Sequence, residues 1–273
     1  MEKVRLGRID YINVLPIYFL IERNSGDKNL ELVKENPRAL NELLFSGRLD
    51  ISPISSIEYA RHQNDYFLVN DLALSALGAV RSVLLFSQEP LEKLLEKKVA
   101  VTSSSATSGA LLRIIFNLRF GRDIHLTRGI SSTERVMKEY PAALLIGDEA
   151  LRVKMSNGLK CYDLGELWHK MTGEKMVYAL WAVRRRSYAK IKERIEKVVE
   201  DLRNSRDYGI IHPELIAKEA NRITGFPVDF LKKYFTSLEF NLDDKTKKGL
   251  ITFYKYASDL GISPPCRELK FIQ

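Results

Sequence analysis

The feature that most constrains this chain is a rhythm that runs through its first two thirds and then stops. Short apolar runs alternate with amphipathic helical patterns. "VRLGRI", "LELVKE" and "LDISPI" read as strands. Between them, "LPIYFLIERN" and "PRALNELLFSG" read as helices, each with a proline in its first turn. "SSIEYARHQ" reads as a short helix, and "YFLVN" and "AVRSVLLFS" as two further strands. A strand–helix–strand order of this kind predicts an open, mainly parallel sheet. The rhythm then restarts, with "PLEKLLEKK" a helix, "KVAVT" a strand, "TSGALLRIIFNLRFG" a helix and "IHLTRG" a strand. "SSTERVMKEYP" follows as a helix, "AALLIGD" as a strand, "EALRVKMSNG" as a helix and "LKCYDL" as a strand. From Ser187 to about Leu260 the pattern is almost wholly helical.

A helical tail of that length needs a sheet to pack on, and the simplest solution returns the chain to its first half. The expectation is an α/β fold of two lobes, each a mainly parallel sheet flanked by helices. Lobe I comprises 1–87 and 179–273, with the C-terminal helices packed on it, and lobe II comprises 88–178. The chain crosses between them near Phe86–Pro90 and again near Tyr178–Ala182, with a ligand cleft in the gap.

Composition narrows the function classes. At 273 residues and 45% hydrophobic content, the chain can bury a real core. No apolar stretch reaches the 18 or so residues needed to span a bilayer, so no membrane insertion is expected. The charged N-terminus, "MEKVRLGRIDYINVLP", is unlike a signal peptide and predicts a cytoplasmic protein. The net charge is +8, but the basic residues are spread along the chain and interleaved with Glu. Without a helix-turn-helix, zinc-finger or aromatic–basic pattern, nucleic acid is not expected as a partner. Cys161 and Cys266 form no metal motif, and no disulfide is expected in a reducing compartment. His62, His125, His169 and His212 are scattered and read as structural or surface residues, and no metal-ligand spacing stands out.

In open α/β sheets, ligands sit outside the carboxyl ends of the strands. The segments that follow the strands here are "DYINVLP", "SPISSIEY", "TSSSATSG" and "GDEAL". They supply Asn, Ser, Thr, Gly and backbone N–H groups, with hardly a cation among them. The cluster Thr102, Ser103, Ser104, Ser105, Thr107 and Ser108 is denser than one helix cap needs. A helix N-terminus flanked by small hydroxyls can hold a carboxylate or phosphate without an arginine, so the Ser105–Thr107 region reads as an anion site, with helix capping alone as the alternative. No Gly-Lys-Ser/Thr follows, which excludes a P-loop. Asp148 and Glu149 open a helix and read as a cap and dipole partner or as a catalytic pair. Trp168, Tyr178 and Trp181 read as core or cleft wall, and Glu58 as facing either solvent or the cleft.

The segments "GRIDYINVLPIYF", "LLFSGRLDISPISSIEYAR", "RSVLLFS", "SSSATSGALLRI", "ALLIGDEAL" and "YDLGELWHKMTGEKMVYALWAVRR" resemble, in order, the chorismate dehydratase family of the futalosine route to menaquinone. The resemblance covers about Arg5 to Arg186. It implies a type II periplasmic-binding-protein-like fold and an intracellular carbon–oxygen lyase. The implied reaction turns chorismate, a dicarboxylate, into 3-[(1-carboxyvinyl)oxy]benzoate and water, with no metal or other cofactor. The family's cleft asparagine falls on Asn13 and its serine of the Arg-Ser-Val strand on Ser82, which makes these the implied catalytic residues. Tyr11, Ser55, Ser56, Ser105, Ala106, Thr107, Gly147 and Asp148 are the expected substrate-binding residues. Asn13 cannot be the base, because an amide is not basic at neutral pH. Two readings stay beside this one: a non-catalytic anion-binding protein of the same fold, and the sister lyase of the pathway, which carries a histidine base and would need His125 and His169 in the cleft.

Overall fold

The computed structural model describes residues 3–24, 29–102, 106–128, 136, 139–156 and 159–273. The helix expected over "SSTERVMKEYP" lies largely outside the described residues. Among the described residues, ten strands form two five-stranded sheets. The first contains β1 (Val4–Ile9), β2 (Leu30–Glu35), β3 (Ile51–Ser55), β4 (Tyr66–Ala76) and β10 (Met176–Arg184), in the order β2-β1-β3-β10-β4. The second contains β5 (Val83–Ser87), β6 (Lys98–Val101), β7 (His125–Arg128), β8 (Ala142–Ile146) and β9 (Lys160–Asp163), in the order β7-β6-β8-β5-β9.

In the first sheet β1 is parallel to β2 and β3, while β10 is antiparallel to both β3 and β4. In the second, β6 is parallel to β7 and β8, while β5 is antiparallel to both β8 and β9. Among the described residues each sheet is therefore mainly parallel with one reversed strand, the fourth in its order. Those reversed strands, β5 and β10, are the ones by which the chain enters the second sheet and comes back to the first. The two halves share one topology, although their sequences show no repeat.

The sheet-to-sheet passages fall at Leu77–Ser82 and Gly173–Lys175, not at Phe86–Pro90 and Tyr178–Ala182, because all of β5 pairs in the second sheet and all of β10 in the first. The expected strand "AVRSVLLFS" accordingly begins only at Val83. Arg81 has a left-handed φ of 67°. The N–H groups of Val80 and Arg81 donate to the Asp163 carboxylate at 3.1 and 2.7 Å rather than to a ladder. Asp163 also caps the next helix through Gly165 N at 2.9 Å and Glu166 N at 3.2 Å, so one buried carboxylate ties the first passage to the end of β9.

The helices are α1 (Leu15–Arg23), α2 (Pro37–Phe45), α3 (Ser56–Arg61), α4 (Ala106–Phe120), α5 (Gly147–Ser156) and α6 (Leu164–Thr172). "PLEKLLEKK" contracts to a single 3-10 turn over Leu91–Leu94, because the chain must be extended again at Lys98 to start β6. The C-terminal region is helical as expected, with α7 (Arg185–Ile211), α8 (Pro213–Thr224), α9 (Val228–Phe235) and α10 (Asp244–Asp259). Among the described residues, no helix is long and apolar enough to cross a membrane.

The core explains why the tail returns. Every residue of β10 except Arg184 is buried, so that strand needs cover on both faces. Trp181 is fully buried, and its indole N–H donates to Tyr18 Oη at 2.9 Å, while Tyr18 donates to Gly7 O at 2.7 Å. Two large aromatic side chains thus leave water with their polar atoms satisfied. Asp50 joins three elements by accepting from Arg5 Nε and Nη2 at 3.0 and 2.7 Å and from Ser187 Oγ at 2.6 Å. Burial alone would raise its carboxyl, but these donors outweigh burial and hold it below the usual range. The helix α10 lies on β10 and also reaches α4 of the second half.

The helix α7 packs along α1 so closely that Gly209 meets backbone. A Cβ at Gly209 would stand 2.6 Å from Pro16 O and 2.7 Å from Pro16 Cα. Overpacking against a backbone that cannot rotate away costs about 1–3 kcal/mol. Gly209→Ala should therefore lower the thermal midpoint by several degrees, at roughly 2–4 °C per kcal/mol. An unchanged melting curve would show that the contact is looser than this.

Candidate active site

The carboxyl ends of strands from both sheets open into one cleft. Tyr11 and Asn13 reach it from the turn after β1, Ser55 from the end of β3, and Ala106, Thr107 and Ser108 from the first turn of α4. Gly147 comes from the start of α5, Val80 and Ser82 from the first passage, Val83 from the start of β5, and Tyr178 and Ala179 from β10. Leu238, just beyond α9, closes the wall. Among the described residues lining the cleft there is no carboxylate, ammonium, guanidinium or imidazole.

Most expected site residues meet here. Tyr11, Asn13, Ser55, Ser82, Ala106, Thr107 and Gly147 all line the cleft. Ser105 lies outside the described residues, as do Ser103 and Ser104. Ser56 sits behind the wall, where its hydroxyl donates to Val177 O at 2.7 Å. That donation consumes its proton, so the 3.3 Å contact between Ser56 Oγ and Thr107 Oγ1 has Thr107 as donor. Thr107 Oγ1 in turn accepts from Ile57 N at 3.3 Å. The Thr107 hydroxyl therefore links α3 to α4 across the two halves, and its proton is not free for a ligand.

Asp148 departs from expectation. It does not line the cleft but lies beyond Tyr11, in a neighbouring charged depression beside Arg8, Asp10 and Arg222. Both its oxygens accept from Ile12 N, at 3.2 and 3.3 Å, so it fastens the start of α5 to the turn that carries Asn13. Gly147 supports the same junction. Its φ is +62°, and a Cβ there would lie 2.9 Å from the Tyr11 ring. Only glycine combines that backbone with that approach.

The remaining polar atoms show where a ligand is needed. Asn13 is 9% exposed, and its Oδ1 is buried without a hydrogen-bond partner among the described residues. The Tyr178 hydroxyl is also buried and unpartnered, and burial pushes its pKa well above the usual phenol value. Ser55 is held at both ends by Asn41, whose Nδ2 donates to Ser55 Oγ at 3.3 Å and whose Oδ1 accepts from Ser55 N at 3.1 Å. Ser82 Oγ accepts from Tyr234 Oη at 2.9 Å, and Ser82 O accepts from Gly147 N at 2.9 Å. A buried polar group without a partner costs about 1–3 kcal/mol, a cost that a ligand offering the complementary group removes.

Several residues are kept out of the cleft. Glu58 pairs with Arg61 at 2.6 Å and lies 3.7 Å from His62. His125, His169 and His212 do not line the cleft, and Trp168 and Trp181 are core residues. Cys161 and Cys266 are both free thiols. No group of three or more His, Cys, Asp or Glu among the described residues is placed to hold a metal. Reading the sequence singled out neither Tyr234 nor Leu238, which come from the helical tail and carry no local signal. Tyr178 was legible only as core or wall, and Ser108 only as part of the hydroxyl cluster.

The Asp148 contact makes a pH-dependent prediction. Burial pushes its carboxyl up to about 6, Asp10 adds to this, and Ile12 N–H, Arg8 and Arg152 oppose it. A carboxyl whose folded pKa lies above its unfolded value costs stability when ionised. That cost is full above pH 6 and disappears towards pH 4. The wild-type protein should thus gain stability relative to Asp148→Asn as pH falls from 7 to 5, measured by urea denaturation at each pH. A constant difference between the two proteins would contradict the assignment.

Comparison with known proteins follows the same lines. A family model described as "Menaquinone biosynthesis" matches residues 4–259. The chain is 31% identical over 270 residues to a chorismate dehydratase of Thermus thermophilus, covering 93% of this chain and 94% of that one. It is 32% identical over 177 residues to a chorismate dehydratase of Campylobacter jejuni, covering 63% of this chain and 64% of that one. Among solved structures, a protein of Archaeoglobus fulgidus superimposes with a TM-score of 0.77 at 19% identity, over 95% of this chain and 98% of that one. The alkanesulfonate-binding protein of Xanthomonas axonopodis pv. citri, bound to MOPS, gives 0.73 at 15% identity, over 98% of this chain and 96% of that one. The fold is thus periplasmic-binding-protein-like, and the chain, matched over nearly its whole length, belongs to the menaquinone biosynthesis family.

Proposed function

We propose that the protein is a chorismate dehydratase, a hydro-lyase that converts chorismate to 3-[(1-carboxyvinyl)oxy]benzoate and water in the cleft between its two halves. The whole-length similarity to curated chorismate dehydratases supports the substrate. The observation that carries the site is the buried, unpartnered Asn13 Oδ1 in a cleft whose described lining holds no ionised side chain. An amide oxygen accepts and cannot donate. A carboxylate cannot satisfy it, but the C4 hydroxyl, the one O–H donor of the chorismate dianion, can. Asn13 therefore holds the group that departs.

The chemistry follows from the substrate. The C3–H bond is adjacent to the C1=C2 double bond that bears the ring carboxylate. Taking the C3 proton spreads the electron pair through that double bond into the carboxylate. The pair then closes the C3–C4 double bond, and the C4–O bond breaks. Hydroxide leaves with the abstracted proton as water, and the ring becomes aromatic. Atoms and charge balance with no redox partner.

The base is the substrate's own side-chain carboxylate, consistent with the neutral described lining of the cleft. Ser82 and the N-termini of α4 and α5 supply donors where negative charge develops, and being fixed in advance they need no reorganisation during the reaction. The two halves act as lobes that meet over the substrate. The Thr107–Ile57 and Asp148–Ile12 contacts hold the junction, and Leu77–Ser82 and Gly173–Lys175 are the passages about which the lobes move.

Purified protein mixed with chorismate alone should release the carboxyvinyloxy benzoate, followed by chromatography. Binding without turnover would instead support an anion receptor of the same fold. Asn13→Ala and Ser82→Ala should each lower kcat by about 10²–10³, the usual cost of losing one fixed donor or orienting group. Glu58→Gln should stay within about threefold of wild type, since a factor that small is under 1 kcal/mol. A folded, chorismate-binding Glu58→Gln protein without activity would place the base on the protein.

A further inference from the structure

The tail of four helices covers the first sheet, and its sequence suggested nothing beyond packing. Yet α9 brings one phenol to the cleft from behind. Tyr234 is fully buried, and its hydroxyl lies 2.9 Å from Ser82 Oγ, across 152 positions of sequence. Among the described residues Ser82 Oγ is the one acceptor within reach of that hydroxyl, so the phenol proton must point at the serine. A serine oxygen that already accepts one bond has its own proton left to place. Ser82 is 3% exposed, and its backbone is fixed by the bond from Gly147 N to its carbonyl. The side of Ser82 that remains open faces the cleft.

We propose that Tyr234 is a positioning residue: by donating to Ser82 Oγ it forces the serine to act as a hydrogen-bond donor towards the substrate. The proposal rests on the role given to Ser82 above and adds what sets its direction. A serine hydroxyl can rotate to donate or accept. In water the choice is free, and in a closed cleft it is made by whichever neighbour has no alternative. Tyr234 has none. A phenol is also a better donor than an aliphatic alcohol, and its bond polarises the serine O–H, which strengthens that group's own donation. Burial pushes the Tyr234 pKa above the usual phenol value, so the group is neutral and keeps its proton at any pH at which the protein works. Leu238, four residues on, lines the same cleft. The segment that carries Tyr234 is thus part of the site wall rather than a remote brace.

The test is a double-mutant cycle on chorismate turnover with Tyr234→Phe, Ser82→Ala and the double variant, each checked by its melting curve. Tyr234→Phe should lower kcat about tenfold, the weight of one buried hydrogen bond, with KM within about twofold. In the Ser82→Ala background it should do nothing further, because no serine remains to orient. As a second variant, 3-fluorotyrosine at position 234 keeps the shape and the proton while making the phenol a stronger donor, and should hold kcat at or above wild type. Multiplicative losses in the double variant would overturn the proposal, and so would wild-type kcat in Tyr234→Phe beside an impaired Ser82→Ala. A Ser82→Ala enzyme with full activity would locate the failure in the role of Ser82 itself.

Discussion

Four strands of each sheet end on the same side, and both sets of ends open into one gap. The rest of the molecule depends on that constraint. A strand end followed by a helix start leaves backbone N–H groups without intrahelical partners, and here several such starts converge from opposite directions. The single reversed strand in each sheet makes this possible. Because β5 and β10 run against their neighbours, the chain can pass between sheets beside the cleft without spoiling the alignment of the other strands. The cleft therefore gathers partial positive charge from peptide dipoles while its described lining carries no ionised side chain.

That choice of neutral donors has a chemical consequence. An arginine or lysine in the gap would bind a dianion strongly before and after reaction, and uniform binding does not lower a barrier. Hydroxyls and amides are weaker but directional, and their value depends on where each proton points. Thr107 shows that a hydroxyl in the right loop can be committed elsewhere: its proton goes to Ser56 and its lone pair to Ile57 N. Asn13 and Tyr178, by contrast, keep buried atoms that nothing in the described chain satisfies. Such atoms weaken the empty protein and favour the occupied one.

The charged groups sit one layer out and hold the frame. Asp163 gathers two backbone N–H groups of the first passage and two from the start of α6, Asp50 ties β1 to the start of α7, and Asp148 spans the two halves at the Asn13 turn. Asp148 illustrates how a residue beside a site differs from a residue in it. The sequence places it at the start of α5, next to Gly147, and only the fold decides which side of Tyr11 its carboxylate occupies.

Local pattern and chemistry were enough to announce the two strand–helix series, the helical tail, and the polar segments in which Asn13, Ser55 and Thr107 stand; Ser82 read as part of a strand, and only the family resemblance marked it. Strand alternation, helix-starting prolines and hydroxyl clusters are short-range properties, written over ten residues or fewer. What only the tertiary structure decided are relations between distant segments: the true passages at Leu77–Ser82 and Gly173–Lys175, the exclusion of Asp148 from the cleft, the spending of the Thr107 proton, and the arrival of Tyr234 behind Ser82. Each depends on which groups lie within 3.5 Å after folding. A hydrogen bond has no signature in the sequence of either partner when 50 to 150 residues separate them.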